Sequence, residues 1–293
     1  MVVESSSSDS RYLFTIGQCA TLACQLEATA PKPGNVHRGA DFEDLVFFDF
    51  LASAVAIVHA VEAVHEGAPV GESILAAVRS TREVTGTNTN LGTILLIMPL
   101  AAVERDTPLA SGIESVLKNL NFSDSHHMYE AIRMAQPAGM GTTEQLDIKG
   151  DAPEDVLDAM RLVKDSDAVA KQYVTDFAEV LDCVVPWLVQ EVGEELTLTS
   201  RIIHTHVKLL AKNSDSLIAR KCGSEIAAAV ACRAAKVLES GPPQSEPYLD
   251  ALSELDFWLR ADGHRRNPGT TADLIAAGLF CGLRDGIIRP PLR

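Results

Sequence analysis

Apolar residues recur three and four positions apart along nearly the whole chain and almost nowhere alternate with polar ones, which commits the sequence to helices rather than sheets. Aromatic residues are only 5% of the chain, and Ala, Leu, Val and Ile fill the apolar segments, side chains that let helices approach closely. The spacing predicts roughly ten helices, with the clearest segments at 10–28, 47–65, 71–84, 92–104, 165–190, 200–210, 214–238, 246–259 and 271–284. Segment 47–65 is apolar nearly all round, the pattern of a helix at the centre of a bundle. Segment 165–190 places Val169, Tyr173, Phe177, Val180, Leu181, Val184 and Leu188 on one stripe, as a single long amphipathic helix would.

No repeat and no linker-like change in composition divides the 293 residues. The expectation is therefore an all-α fold, one compact multi-helix domain over 11–293 with functional loops at helix ends, behind a flexible tail at 1–10. The tail, MVVESSSSDS, has neither the basic start nor the apolar run of a secretory signal. The longest uninterrupted apolar run, 93–103, is about half of the ~20 residues that cross a bilayer, and it contains Pro99. Six cysteines include no CxxC pair, as expected of reduced thiols. These features point to a cytoplasmic protein without a membrane partner, and they leave a homo-oligomer open. A net charge of −15 makes sequence-independent nucleic-acid binding a poor prospect, because phosphate neutralisation needs clustered Lys and Arg.

The sequence signatures of phosphate-binding loops, zinc proteases and serine hydrolases are absent, and Gly139-Met140-Gly141 lacks the third glycine of a dinucleotide fingerprint. The close histidine pairs, His126-His127 and His204-Thr205-His206, do not put two imidazoles on one helix face, so a zinc site is not expected. What remains are four polar loops that interrupt apolar helices, the usual place for a site.

The first loop runs Pro31-Lys32-Pro33-Gly34-Asn35-Val36-His37-Arg38-Gly39-Ala40-Asp41 and on through Asp44. A lysine between two prolines has a fixed backbone and an ammonium that can meet a phosphate, and Gly34 lets a ligand approach the main chain. Asp41 and Asp44 could share a hydrated Mg²⁺, or could simply complement a helix N-terminus. The second, Thr85-Gly86-Thr87-Asn88-Thr89-Asn90-Leu91-Gly92, offers hydroxyls and amides beside free helix N–H groups, either a cradle for an anion or base edge or a generous N-cap. In the third, Asp215 fits the first turn of a helix and Arg220-Lys221 follow as a phosphate clamp or a solvated patch. The fourth, His264-Arg265-Arg266-Asn267-Pro268-Gly269-Thr270-Thr271-Ala272-Asp273, is the densest basic stretch of an acidic chain. Its Thr270 and Asp273 also form a capping-box pattern, which gives Asp273 a structural reading beside a catalytic one.

In these four segments the chain resembles the triphosphoribosyl-dephospho-CoA synthase family, which makes the prosthetic-group precursor of citrate lyase and malonate decarboxylase. The PKPG-type loop at 31–34, TGTNT at 85–89 with Gly92, NSDSLIARKCG at 213–223 and NPGTTADL at 267–274 occur in the family's order. The resemblance implies an all-α transferase in which adenine leaves the anomeric carbon of ATP and the 2′-hydroxyl of 3′-dephospho-CoA takes its place, the triphosphate staying intact. Such a site must stabilise an oxocarbenium-like carbon, move two protons and hold two polyanions.

By the same resemblance Lys32, Arg220 and Lys221 would grip phosphates, and Asp41, Asp44 and Asp215 would hold Mg²⁺. The general base would be Asp215, Asp273 or Asp41. Gly34, Asn35, His37, Thr85, Asn88, Thr89, Asn90, His264, Arg265, Asn267 and Thr270 would line the substrates. Asp147, and Asp167 with Lys171 and Tyr173, read rather as helix-surface or packing residues. One departure stands out: decarboxylase-associated members usually read NTHKG where this chain reads Asn88-Thr89-Asn90-Leu91-Gly92, so an imidazole and an ammonium are missing. Either the basic group comes from His264, Arg265 or Arg266, or the acceptor differs, for instance a pterin or furan cofactor precursor of one-carbon metabolism. With water as acceptor the protein would be a nucleotide N-glycosidase, and without chemistry a helical nucleotide-binding protein. In an acidic chain whose cations cluster in these loops, ATP binding is expected to collapse when divalent metal is chelated, as calorimetry with and without EDTA would read.

Overall fold

A computed structural model describes residues 12–137, 150–189 and 196–292 of the chain. The expected tail at 1–10 and Asp147 lie outside these residues. The described residues form fifteen α-helices: α1 (Ile16–Thr29), α2 (Phe47–Ala56), α3 (Val58–His65), α4 (Val70–Thr85), α5 (Leu91–Ala101), α6 (Leu109–Lys118), α7 (Phe122–Ala135), α8 (Val156–Val163), α9 (Ala168–Val174), α10 (Val185–Val189), α11 (Leu198–Lys212), α12 (Ser216–Cys222), α13 (Ser224–Glu239), α14 (Glu246–Arg260) and α15 (Gly269–Arg284). A π-helical turn at Val180–Val184 precedes α10, and Ala261–His264 is a short extended segment. The all-α expectation holds, with more helices than the ten expected.

Three helices, α6, α7 and α8, lie outside the clearest expected segments, and the rest of the excess comes from breaks inside three expected helices. Segment 47–65 breaks at Ile57. Segment 214–238 breaks at Gly223, whose φ of 90° favours glycine. Segment 165–190 breaks after α9, where Asp176 and Phe177 take positive φ and Phe177 turns fully into the core. The π turn beyond it meets Pro186, which has no N–H to give to a helical ladder. At the other end of the chain α1 starts at Ile16 rather than 10, because Thr15 and Gln18 close a capping box there.

The central helix is not the one expected. Only 28% of the most apolar window of Phe47–His65 is buried, although by length and composition alone this stretch is long and apolar enough to cross a membrane. It carries Asp49 and Glu62, and the Glu62 carboxylate accepts hydrogen bonds from the Thr15 hydroxyl and the Gly17 amide of the first helix. The centre belongs to α5 and α15: every residue of α5 but Gly92 is buried, and α15 is buried from Thr270 to Arg284 except at Ala272 and Asp273.

The two helices lie side by side in the same direction and are tied at both ends. At the start, the Thr93 hydroxyl donates to Asp273 Oδ1 at 2.7 Å. At the far end the fully buried Arg284 guanidinium donates to the carbonyls of Val103, Glu104 and Thr107 and pairs with Asp285. Helix α1, rich in small residues such as Cys19, Ala20 and Ala23, packs on α15, while Gly17 makes room for Val58 and Glu62 of α3. The main hydrophobic cluster draws on α1 to α11 and α15, while a second, made of Val207, Leu210, Ile218, Val230, Tyr248, Leu255 and their neighbours, holds α11 to α14 together. All six cysteines are free.

Arg284→Met would leave Asp285 and three carbonyls without their partner, and should cost about 3–5 kcal/mol of stability, read as a lower urea midpoint. Lys118→Met, which removes an exposed i,i+4 pair with Glu114, should leave the urea midpoint almost unmoved.

Candidate active site

Four helices begin at one cavity of about 640 Å³, a size suited to one small-molecule ligand. The first turns of α5, α9, α12 and α15 all line it, so their dipoles favour negative charge there, although Asn88, Asp167 and Asp215 already take several of their backbone N–H groups. Each of the four polar loops contributes. Asn35 and Asp44 come from the first, Asn88, Thr89, Asn90 and Gly92 from the second, Arg220 and Lys221 from the third, and His264, Asn267, Thr270 and Asp273 from the fourth. The opposite wall is apolar, with Leu95, Tyr129, Ile132, Met160 and Val163.

The site residues bond largely to one another. The Asn35 amide donates to Asn267 Oδ1 at 2.6 Å, leaving the Asn35 carbonyl oxygen without a partner. Asn88 Oδ1 accepts the Leu91 N–H at 3.1 Å and so caps α5, and the Thr89 hydroxyl bonds with that of Ser53. The Asn90 side chain is 8% exposed and its amide nitrogen has no partner. Thr270 accepts from the Ser216 hydroxyl, across the starts of α12 and α15. His264 Nδ1 lies 2.9 Å from Asp44 Oδ1. Arg220 pairs with Asp167 at 2.7 Å, and Asp167 also caps α9. Lys221 lines the cavity with no ion pair among the described residues, and burial pulls its ammonium below the usual lysine range.

Several expected site residues stand elsewhere. Lys32 is fully buried and does not line the cavity: its ammonium lies 2.8 Å from Glu27 Oε1 and also donates to the carbonyls of Glu27 and Ala30, so it is not free to grip a phosphate. Gly34, at φ 78°, gives its N–H to Asp256, and a Cβ there would strike Leu259; close packing on α14, not ligand approach, requires the glycine. The His37 ring accepts from Gly39 N–H, Thr85 bonds back to Thr81 and Thr87, and Arg265 pairs with Asp262, all away from the cavity. Arg266 lies on the Trp258 ring and donates to the Trp258 carbonyl.

The expected Mg²⁺ carboxylates do not converge. Asp215 is 3% exposed and joins two helix starts: it caps α12 through Ile218 N–H at 3.0 Å and accepts both the N–H and the hydroxyl of Thr271, at 2.8 and 2.7 Å. It does not line the cavity, and the hydrogen bonds of its carboxyl go to helix starts rather than toward a ligand. Asp41 is exposed and caps Phe47 N–H, and Asp44 faces His264. Among the described residues no three His, Cys, Asp or Glu side chains are placed to hold a metal. The set does not fit a protein-bound Mg²⁺.

Of the three expected general bases, Asp273 is the one that lines the cavity. It does not close a capping box with Thr270, since α15 starts one residue earlier and its Thr271 N–H is taken by Asp215. It points instead at α5, into room that exists only because residue 92 is glycine: a Cβ on Gly92 would lie 2.1 Å from Asp273 Oδ2. Burial, and then the negative charges of Glu27 and Asp215, push its carboxyl up to about 8 against the Thr93 hydrogen bond.

Sequence reasoning missed two charged lining residues that the helices hide. Glu27, 9% exposed, sits near the end of α1, and Arg82, in the last turn of α4, makes no ion pair among the described residues. The one signal for Glu27 was a charged residue inside a stripe of small apolar ones.

A family model described as ATP:dephospho-CoA triphosphoribosyl transferase (CitG) matches residues 13–289. A crystal structure from Archaeoglobus fulgidus, provisionally assigned as a triphosphoribosyl-dephospho-CoA synthase, superposes with a TM-score of 0.62 at 25% identity, covering 81% of this chain and 100% of that one. No curated protein matches the chain at a significant level.

Two measurements check the Asp273 geometry. Gly92→Ala should cost about 1–3 kcal/mol, and most of that should return in an Asp273→Gly background, where the obstructing carboxyl is gone. Asp273→Asn should also raise the melting temperature in a pH-dependent way. A carboxyl held near 8 in the fold but ionising near 3.8 when unfolded costs nothing at pH 3 and progressively more as pH rises to about 8. The gain from the substitution should therefore grow between about pH 4 and 8 and then level off.

Proposed function

Since the chain belongs to the ATP:dephospho-CoA triphosphoribosyl transferase family and is a transferase by that membership, we propose that the cavity binds ATP and exchanges its adenine for the 2′-hydroxyl of 3′-dephospho-CoA, giving 2′-(5″-triphosphoribosyl)-3′-dephospho-CoA. The observation that carries this reading is the meeting of four helix starts with Arg82, Arg220 and Lys221 in one cavity of about 640 Å³, a place for a triphosphate inside a chain of net charge −15. Arg82 and Lys221 are the cations without an internal partner there, and they take over the phosphate role that the buried Lys32 cannot fill. Asn35, Asn267, Asn88 and Thr89 supply donors and acceptors for ribose and base edges. The apolar wall of Leu95, Tyr129 and Met160 suits a flat heterocycle. Mg²⁺ enters with ATP as part of the substrate, and no step relies on an ion held by the protein.

A different acceptor is the second reading, favoured by one observation. Asn90 and Leu91, which stand where an imidazole and an ammonium were expected, are both 8% exposed and line the cavity, so that surface offers no cation to the 3′-phosphate of dephospho-CoA. A cofactor precursor with less negative charge would meet no such deficit.

Following adenine from ATP and Mg²⁺ separates these readings. Release that requires dephospho-CoA supports the first, release only with another hydroxyl-bearing cofactor precursor supports the second, and release with no acceptor identifies a hydrolase. No release and no ATP binding would overturn the reading. Arg82→Met and Lys221→Met should each weaken ATP binding about ten- to a hundredfold, the loss of one charge-assisted contact of about 1.5–3 kcal/mol, by calorimetry.

A further inference from the structure

Building on the proposed transfer at the anomeric carbon, we infer that Glu27 and Asp273 divide its proton chemistry: Asp273 gives the proton that adenine takes on leaving, and Glu27 accepts the proton of the attacking hydroxyl, with Lys32 as its positioning residue.

Both carboxyl groups line the one cavity, from the packed helices α1 and α15, and their surroundings are opposite. Glu27 Oε1 is 2.8 Å from the ammonium of Lys32, which is fully buried and anchored on the carbonyls of Glu27 and Ala30 between Pro31 and Pro33. The ion pair fixes the Glu27 carboxyl in place beside the cavity. Asp273 has no cation partner among the described residues. It faces the Thr93 hydroxyl from α5, Glu27 from α1 and Asp215 from the α12 cap, and it fills the space left by Gly92. With a carboxyl held up to about 8, it carries its proton at neutral pH. A protonated and an ionised carboxyl in one pocket is the arrangement that substitution at an anomeric carbon uses.

The step balances. The C1′–N9 bond of ATP breaks with its electron pair going to adenine, which takes the Asp273 proton. The acceptor oxygen bonds to C1′, and its hydroxyl proton passes to Glu27. Asp273 ends ionised and Glu27 protonated, and solvent exchange resets both.

The test follows adenine release from MgATP with dephospho-CoA. The wild-type rate should fall above about pH 8. Asp273→Asn should lose that basic limb along with about 10²- to 10⁴-fold in kcat, and Glu27→Gln should lose a similar factor with KM for ATP within about threefold. Formate should restore part of the rate to Glu27→Ala, where it can replace the missing base. Lys32→Gln should lower kcat without raising KM, and Lys32→Gln/Glu27→Gln should be no slower than Glu27→Gln alone. A Glu27→Gln enzyme within threefold of wild-type kcat would overturn the inference.

Carboxyl NMR of the ligand-free protein gives a readout that needs no acceptor. The Asp273 midpoint near 8 should drop in Glu27→Gln, and an unmoved midpoint would overturn the pairing. Wild-type protein that releases no adenine with dephospho-CoA would sink the proposed substrate alone, and the carboxyl titration would then decide the pairing.

Discussion

The parallel contact between α5 and α15 is the constraint on which the rest of the molecule hangs. It buries polar groups at both ends, and buried polar groups must be partnered inside the protein. Arg284 answers the carbonyls beyond the end of α5, and Thr93 answers the carboxyl at the start of α15. Between these two points the helices present only apolar and small side chains, against which α1, α3, α4, α9 and α10 pack. Because the helices run in the same direction, their N-termini end up together. Adding the starts of α9 and α12 produces a region of positive backbone potential that no excess of lysine or arginine is needed to create.

That arrangement gives a strongly acidic chain a place where a polyanion would be tolerated. Net charge sets the far field, whereas the cavity is governed by helix ends and by a few cations set among them. The acids that reach the cavity are held in place by specific neighbours. Asp167 is neutralised by Arg220 and caps α9, Asp44 faces His264, Glu27 faces Lys32, and Asp273 keeps its proton near neutral pH. The site therefore carries much less negative charge than its count of carboxyl groups suggests.

Much of this was legible in the sequence, for a physical reason. Polar loops between apolar helices have no core to join, so Asn88, Thr89, Asn267 and Lys221 could be assigned to a site before any coordinates, and all four loops do meet. Helix periodicity likewise reports burial, and α4, α11, α14 and α15 lie within one to three residues of where it placed them. Residues whose role depends on a partner distant in sequence were not legible. Lys32 looked free because Glu27 belonged to a helical pattern, and Asp215 looked catalytic because its second partner, Thr271, is 56 positions away. Asp273 could be read as a cap or as a base, and the sequence did not decide between them because the space made by Gly92 is a property of two helices and not of one. The helix breaks at Ile57 and Phe177 escaped notice because apolar periodicity continues through them, while the backbone turns to fit the core.

The two hydrophobic clusters divide the labour of the cavity. The carboxyls Glu27 and Asp273 stand on helices of the main cluster, whereas Arg220 and Lys221 stand on α12, whose Ile218 belongs to the second. Asp215 is the pin between them, capping α12 while holding the first turn of α15. Repacking of the second cluster would thus shift Arg220 and Lys221 relative to Arg82, Glu27 and Asp273, which stand on helices of the main cluster, and so would reshape one side of the cavity while the other keeps its place.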